Sequence, residues 1–126
     1  STVAAKESNA INKVREFFDA YATYYDSYRE ITSIILNYED LLHNTGTREM
    51  ISTCIIERTQ FLKDILSQGI AKNEITDVYE AEELANILIG IMNGIILNRR
   101  VMYHEVTLKA EVMAAIDKTM NLIRVN

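Results

Sequence analysis

The chain has 126 residues, 48% of them apolar and 25% charged, the profile of a single soluble globular domain. Thirteen Lys+Arg against eighteen Asp+Glu leave a net charge of −5, which argues against a basic nucleic-acid module. One cysteine, Cys54, excludes an internal disulfide, and a chain with no proline and four glycines favours long helices.

The chain begins at Ser1 rather than methionine, as expected of a processed product or a piece of a longer protein, and its first residues lack the apolar run of a signal peptide. A first helical segment is predicted over about Asn9 to Tyr25. Ile11, Val14, Phe18, Tyr21, Ala22 and Tyr25 fall in one stripe, with Phe17 and Tyr24 at its edge. A second begins at Ser27, which forms a capping-box pair with Glu30, and runs to Leu42 before an Asn44-Thr45-Gly46 turn. A third runs from an N-cap at Thr47 to about Gln68. Ile51, Cys54, Ile55, Phe61, Leu62, Ile65 and Leu66 line its inner face, and Gly69 is expected as a left-handed stop. The fourth starts at Asp77, with Glu80 at capping-box spacing, and reaches about Met102. The fifth follows Thr107, with Leu108, Val112, Ile116, Met120 and Ile123 in its stripe. The fold class expected is therefore all-α, a bundle of five or more helices in one domain spanning the chain.

The fourth segment is apolar in most directions from Leu84 to Leu97. Those fourteen residues rise roughly 21 Å, short of the ~30 Å core of a bilayer, so no membrane span is expected. On the wheel, Leu84, Leu88, Ile91 and Ile95 cover one direction and Ala85, Ile89, Met92 and Ile96 a second. Ile87, Gly90, Gly94, Leu97 and Val101 cover a third. The Gly90–Gly94 pair permits close approach of another helix, either a neighbour in the same chain or a partner across a symmetric interface.

Tyr21, Tyr24, Tyr25, Tyr28 and Tyr38 cluster on the first two segments, with Phe17, Phe18 and Phe61 nearby. Rings with polar tips line many ligand pockets. Arg58 sits in the middle of an apolar stripe, where a guanidinium needs an internal carboxylate, an anionic effector or a route to solvent. Cys54 reads as a small core residue that also borders this pocket. Asp40-x-x-His43 has the spacing of half a carboxylate-bridged metal site, but His104 lacks an acid three residues before it, so no metal or cofactor is expected. The chain holds no HExxH, CxxC, P-loop, GxGxxG or Gly-x-Ser-x-Gly, and no enzyme activity is expected.

Three stretches resemble parts of the tetracycline-repressor (TetR) type of regulator. Phe61-Leu62-Lys63-Asp64-Ile65-Leu66-Ser67-Gln68-Gly69-Ile70-Ala71-Lys72-Asn73-Glu74-Ile75 resembles a helix end and turn of that family. Glu82-Glu83-Leu84-Ala85, followed by Leu88, Gly90 and Gly94, is similar to its dimerisation helix, and Val14 to Tyr21 to the start of its effector-domain core. The resemblance implies a C-terminal effector-binding and dimerisation domain of a cytoplasmic bacterial transcription regulator. The family's DNA-binding helix-turn-helix has no counterpart in this chain, so DNA would be contacted only through that domain. Effector binding in the core would alter DNA binding across a homodimer, as in a repressor. The expected pocket for a small lipophilic or aromatic effector comprises Tyr21, Tyr25, Tyr28, Tyr38, Cys54, Arg58, Phe61 and Met92. The expected dimer interface, a four-helix contact of the last two segments, comprises Ile87, Gly90, Gly94, Leu97, Val101, Val112, Ile116 and Met120. The alternative is a helical protein-interaction or scaffold module with no small-molecule ligand.

Overall fold

The computed structural model describes residues 9–27 and 45–125. They form four helices, α1 (Ala10–Ser27), α2 (Thr45–Ala71), α3 (Ala81–Val101) and α4 (Leu108–Ile123). The fold class is all-α; among the described residues the extended pairing is a single isolated bridge between Ile75 and Arg124. Ser27 is the last residue of α1. The rest of the predicted second segment, with Tyr28, Tyr38 and the Asp40–His43 pair, lies outside the described residues.

The helices pack in a ring, α1 on α2 and α4, and α3 on α2 and α4. Cross-helix pairs fix the directions. Phe17 meets Phe61 and Tyr21 meets Arg58, so α1 and α2 are antiparallel. Arg15 and Asp19 of α1 pair with Asp117 and Lys109 of α4, so that contact is antiparallel too. The centre is filled by Val14, Phe18, Leu62, Leu66, Leu88, Met92, Ile116 and Met120. Burying each large apolar side chain contributes about 1.5–3 kcal/mol.

Local signals set the helix ends. The Asn9 side chain accepts from Asn12 N–H at 2.9 Å, and Glu74 Oε1 accepts from Ala10 N–H at 3.3 Å, so two orphan amides of α1 are satisfied. At the far end of α2 the stop differs from the expected one. Gly69 lies within the helix, and Asn73 takes the left-handed conformation at φ 61°. Glu74 N–H bonds to Gly69 O at 2.8 Å and Asn73 N–H to Ile70 O at 3.1 Å, the paired bonds of a Schellman motif. Gly69 is required by close approach instead: a Cβ there would lie 2.5 Å from Ala10 Cβ and 2.7 Å from Ile75 Cδ1.

The linker that follows is tied to the C-terminus. Thr76 N–H bonds to Ile123 O at 2.7 Å and Val125 N–H to Glu74 O at 2.9 Å. Helix α3 starts later than expected, after Glu80 rather than at Asp77, because Glu83 reaches back to accept from Glu80 N–H at 3.1 Å. Glu82 and Glu83 in its first turn and Arg99 and Arg100 in its last complement the helix dipole. Thr107 caps α4 as expected, its hydroxyl accepting from Ala110 N–H at 3.1 Å.

Several expected site residues are core residues. Met92 is fully buried between α3 and the rest of the bundle, and Tyr25 is buried on α1. Val112, Ile116 and Met120, expected at a dimer interface, are buried inside their own chain. The α4 stripe that carries them is part of the core, on a helix that packs against α1 and α3. Cys54, expected in the core, is exposed, because it lines an open groove between α1 and α2 rather than a packed contact.

Candidate functional site

Two surfaces of the bundle are chemically unusual. The first is an open groove of about 920 Å³ between α1 and α2. It exists because α1 presents Lys13, Phe17 and Tyr21 beside its core stripe, while α2 presents Cys54, Arg58 and Phe61 opposite them. The Phe17 and Phe61 rings lie 6.0 Å apart and nearly parallel, and Tyr21 sits 4.9 Å from Phe17. Phe61 is 60% exposed, so most of its surface is open to the groove or to solvent.

Arg58 lines the same groove. Its guanidinium carbon is 5.7 Å from the centre of the Tyr21 ring, a cation–π approach. Its Nε is buried and has no hydrogen-bond partner. Glu16, Glu57 and Asp64 stand at the exposed rim, and Asp64 is engaged by Gln60 at 2.8 Å. None of these carboxylates pairs with Arg58. The structure thus brings together Tyr21, Cys54, Arg58 and Phe61 of the expected pocket, and places Tyr25 and Met92 in the core away from it. The sequence reading missed Lys13 and the acidic rim. The spacing Lys13, Phe17 and Ala20–Tyr21, one strip beside the buried stripe, is the signal that could have found Lys13.

The second surface is the outer face of α3. The first two of its three apolar directions are covered, fully from Leu84 to Leu88 and from Ala85 to Ile96, and partly at Ile91 and Ile95. The third is open: Ile87 is 52%, Leu97 46% and Val101 82% exposed. A Cβ added to Gly90 or Gly94 would meet nothing within 4 Å, so no neighbour among the described residues uses the closeness that these glycines allow. Leu122 is exposed on α4. The Arg99–Glu111 pair sets α3 and α4 antiparallel, which brings Leu122 towards the Ile87 end of this face.

A third feature holds the α3–α4 loop. Arg99 donates to Glu111 Oε1 and to Val106 O, each at 2.9 Å. His104 Nδ1 lies 2.6 Å from the same Glu111 oxygen and Nε2 lies 2.8 Å from Asn98 Oδ1. Burial works to raise the Glu111 carboxyl, but hydrogen bonds from His104 and Arg99, with their charge, outweigh it and hold the carboxyl below its ordinary range. Across α1 and α4, a hydrogen bond from Lys109 holds Asp19 low, and the hydrogen bond and charge of Asp117 raise Arg15 further.

No group of His, Cys, Asp and Glu among the described residues is arranged to hold a metal ion. No helix among them is long and apolar enough to cross a membrane. No protein-family model, curated protein or solved structure matches the chain.

Proposed function

We propose that the chain is a ligand-sensing and self-associating helical domain of the TetR-like type, serving a cytoplasmic bacterial transcription regulator whose DNA-binding unit is a separate helix-turn-helix. It performs no catalysis. An effector enters the α1/α2 groove, and two copies meet through α3. The observation that carries this reading is the uncovered α3 face: Ile87, Gly90, Gly94, Leu97 and Val101 recur at a spacing of three and four residues on a helix whose opposite side is core. The sequence resemblance in this same helix supports it. Coupling between groove and partner would run through α2 and α3, which pack directly.

Light scattering after size exclusion, across a dilution series, tests the reading. A dimer is expected for the parent chain, and a monomer of unchanged helicity for Leu97→Glu, since a charge placed in a closing apolar contact opposes association. A parent chain that is monomeric at every concentration removes the reading. One observation favours the scaffold alternative: Met50, Ile55 and Ile56 are exposed on the first half of α2. A scaffold of that kind would bind a protein partner there and show no thermal stabilisation by small molecules.

A further inference from the structure

We infer that the α1/α2 groove takes a planar aromatic molecule bearing a single carboxylate, the carboxylate on Arg58 and the ring against Phe61 and Tyr21. This rests on the ligand-sensing reading above and names the class of its ligand. The argument begins with Arg58 Nε, a buried donor with no acceptor. A guanidinium offers N–H groups in a planar fork that a carboxylate matches with two parallel bonds. Tyr21 meets the guanidinium through its ring, which attracts the charge and leaves the Nε donor without an acceptor. No carboxylate among the described residues stands within ion-pairing distance of it, although Glu16, Glu57 and Asp64 are close enough to share its groove. The site is therefore built around a cation that lacks its anion.

Size and charge narrow the class. A volume of about 920 Å³ suits a molecule of drug-like size. Phe61, with Phe17 backing it in a near-parallel stack, offers a flat apolar platform one helical turn from Arg58. The lining as a whole carries Lys13 and Arg58 against Glu16, Glu57 and Asp64, so its rim is negative. A doubly charged group such as a phosphate is repelled by that rim. A single carboxylate neutralised on Arg58 escapes most of the repulsion. A cation would be drawn to the rim but would leave Nε without an acceptor and add a like charge beside Arg58.

The test uses calorimetric titration of the intact chain with naphthoate, naphthamide and naphthyl phosphate, and fluorescence of the neutral dye Nile red as a reporter of the groove. Naphthoate is expected to bind roughly tenfold or more tighter than naphthamide, the scale of one hydrogen-bonded charge pair. Naphthyl phosphate is expected to bind more weakly than naphthoate. Arg58→Met, which keeps the apolar stem, should abolish the preference for the acid while circular dichroism stays unchanged. Arg58→Lys should retain part of it, and carries the test if Arg58→Met fails to fold. Equal binding of acid and amide, with Nile red taken up and displaced by both, overturns the inference and leaves the ligand-sensing reading standing. A preference for the acid that survives both substitutions, or phosphate binding as tight as carboxylate, overturns it as well. Failure of Nile red and of all three naphthyl compounds to bind overturns the inference and the ligand-sensing reading together.

Discussion

From Leu62 to Gly69, α2 buries Leu62, Ile65, Leu66 and Gly69, whereas from Met50 to Phe61 the same helix leaves Met50, Ile55, Ile56 and Phe61 exposed. Both halves carry apolar residues at helical spacing, and nothing in their composition separates them. The difference lies in the neighbours. The second half lies beside the start of α1, with Gly69 pressed against Ala10, and beside α3. Among the described residues, the first half meets α1 across the open groove, where Phe17 and Tyr21 face Phe61 and Arg58. An amphipathic pattern states which residues are available for burial; the packing of other helices decides which are buried. Function is sought where the two disagree.

Truncations in the two halves should separate most widely. Leu66→Ala removes a fully buried side chain and is expected to destabilise by about 2–5 kcal/mol. Ile56→Ala, on the exposed half, is expected to change stability by no more than about 0.5 kcal/mol. Urea unfolding at fixed protein concentration measures both. Equal costs would erase the contrast and mean that the first half of α2 is as well covered as the second.

The glycines sharpen the same contrast, with opposite signs expected. Gly69→Ala forces a methyl into contacts of 2.5 and 2.7 Å, and overpacking of this kind costs about 1–3 kcal/mol. Gly90→Ala meets nothing within 4 Å, and the better helix former is expected to stabilise the isolated chain by up to about 1 kcal/mol. If two copies close over Gly90 and Gly94, the added methyl also weakens the dimer. Thermal melts at low and high protein concentration resolve the two effects. A Gly90→Ala chain less stable than the parent even when dilute would show that this face is already occupied.

Much of the fold was legible in the sequence. The buried stripes of the first and fifth predicted segments, Val14–Phe18–Ala22 and Leu108–Val112–Ile116–Met120, are those of α1 and α4, and Thr107 is the cap it was read to be. The departures at Gly69, Asp77 and Cys54 have separate causes. Gly69 answers to Ala10, far away in sequence, and to Ile75; the start of α3 is set by a second local signal, Glu83 on Glu80, rather than by the first acidic residue; and Cys54 lines an open groove instead of a packed contact. Of the expected pocket, Tyr21, Cys54, Arg58 and Phe61 do line one groove, since they lie at matched levels of two antiparallel helices. Tyr25 and Met92 share the residue types of such a pocket, but their helix faces turn them into the core. The Arg99–His104–Glu111 cluster was missed because it joins a helix end, a loop and a second helix, a grouping that periodicity does not reveal.

The smallest expected effect lies in that cluster, on the side of the bundle away from the groove. Glu111 and Asp19 both have carboxyl groups held below their ordinary values of 4.5 and 3.8. A carboxyl depressed in the folded state contributes stability above its unfolded value and loses it as pH falls through the folded one. Stability should therefore decline as the solution is acidified below the ordinary carboxyl range, with Glu111 and Asp19 both contributing. Partly exposed pairs of this kind contribute about 0–1 kcal/mol each, so the decline is shallow. Glu111→Gln should lower stability at neutral pH by an amount within that range. It should converge with the parent in acid, where the carboxyl is protonated whether the chain is folded or not. Urea midpoints for the two chains, measured from neutral to acid, give the comparison. Parallel curves would mean that Glu111 is not the group responsible, and that the loop is held by Arg99 on Val106 and by His104 on Asn98.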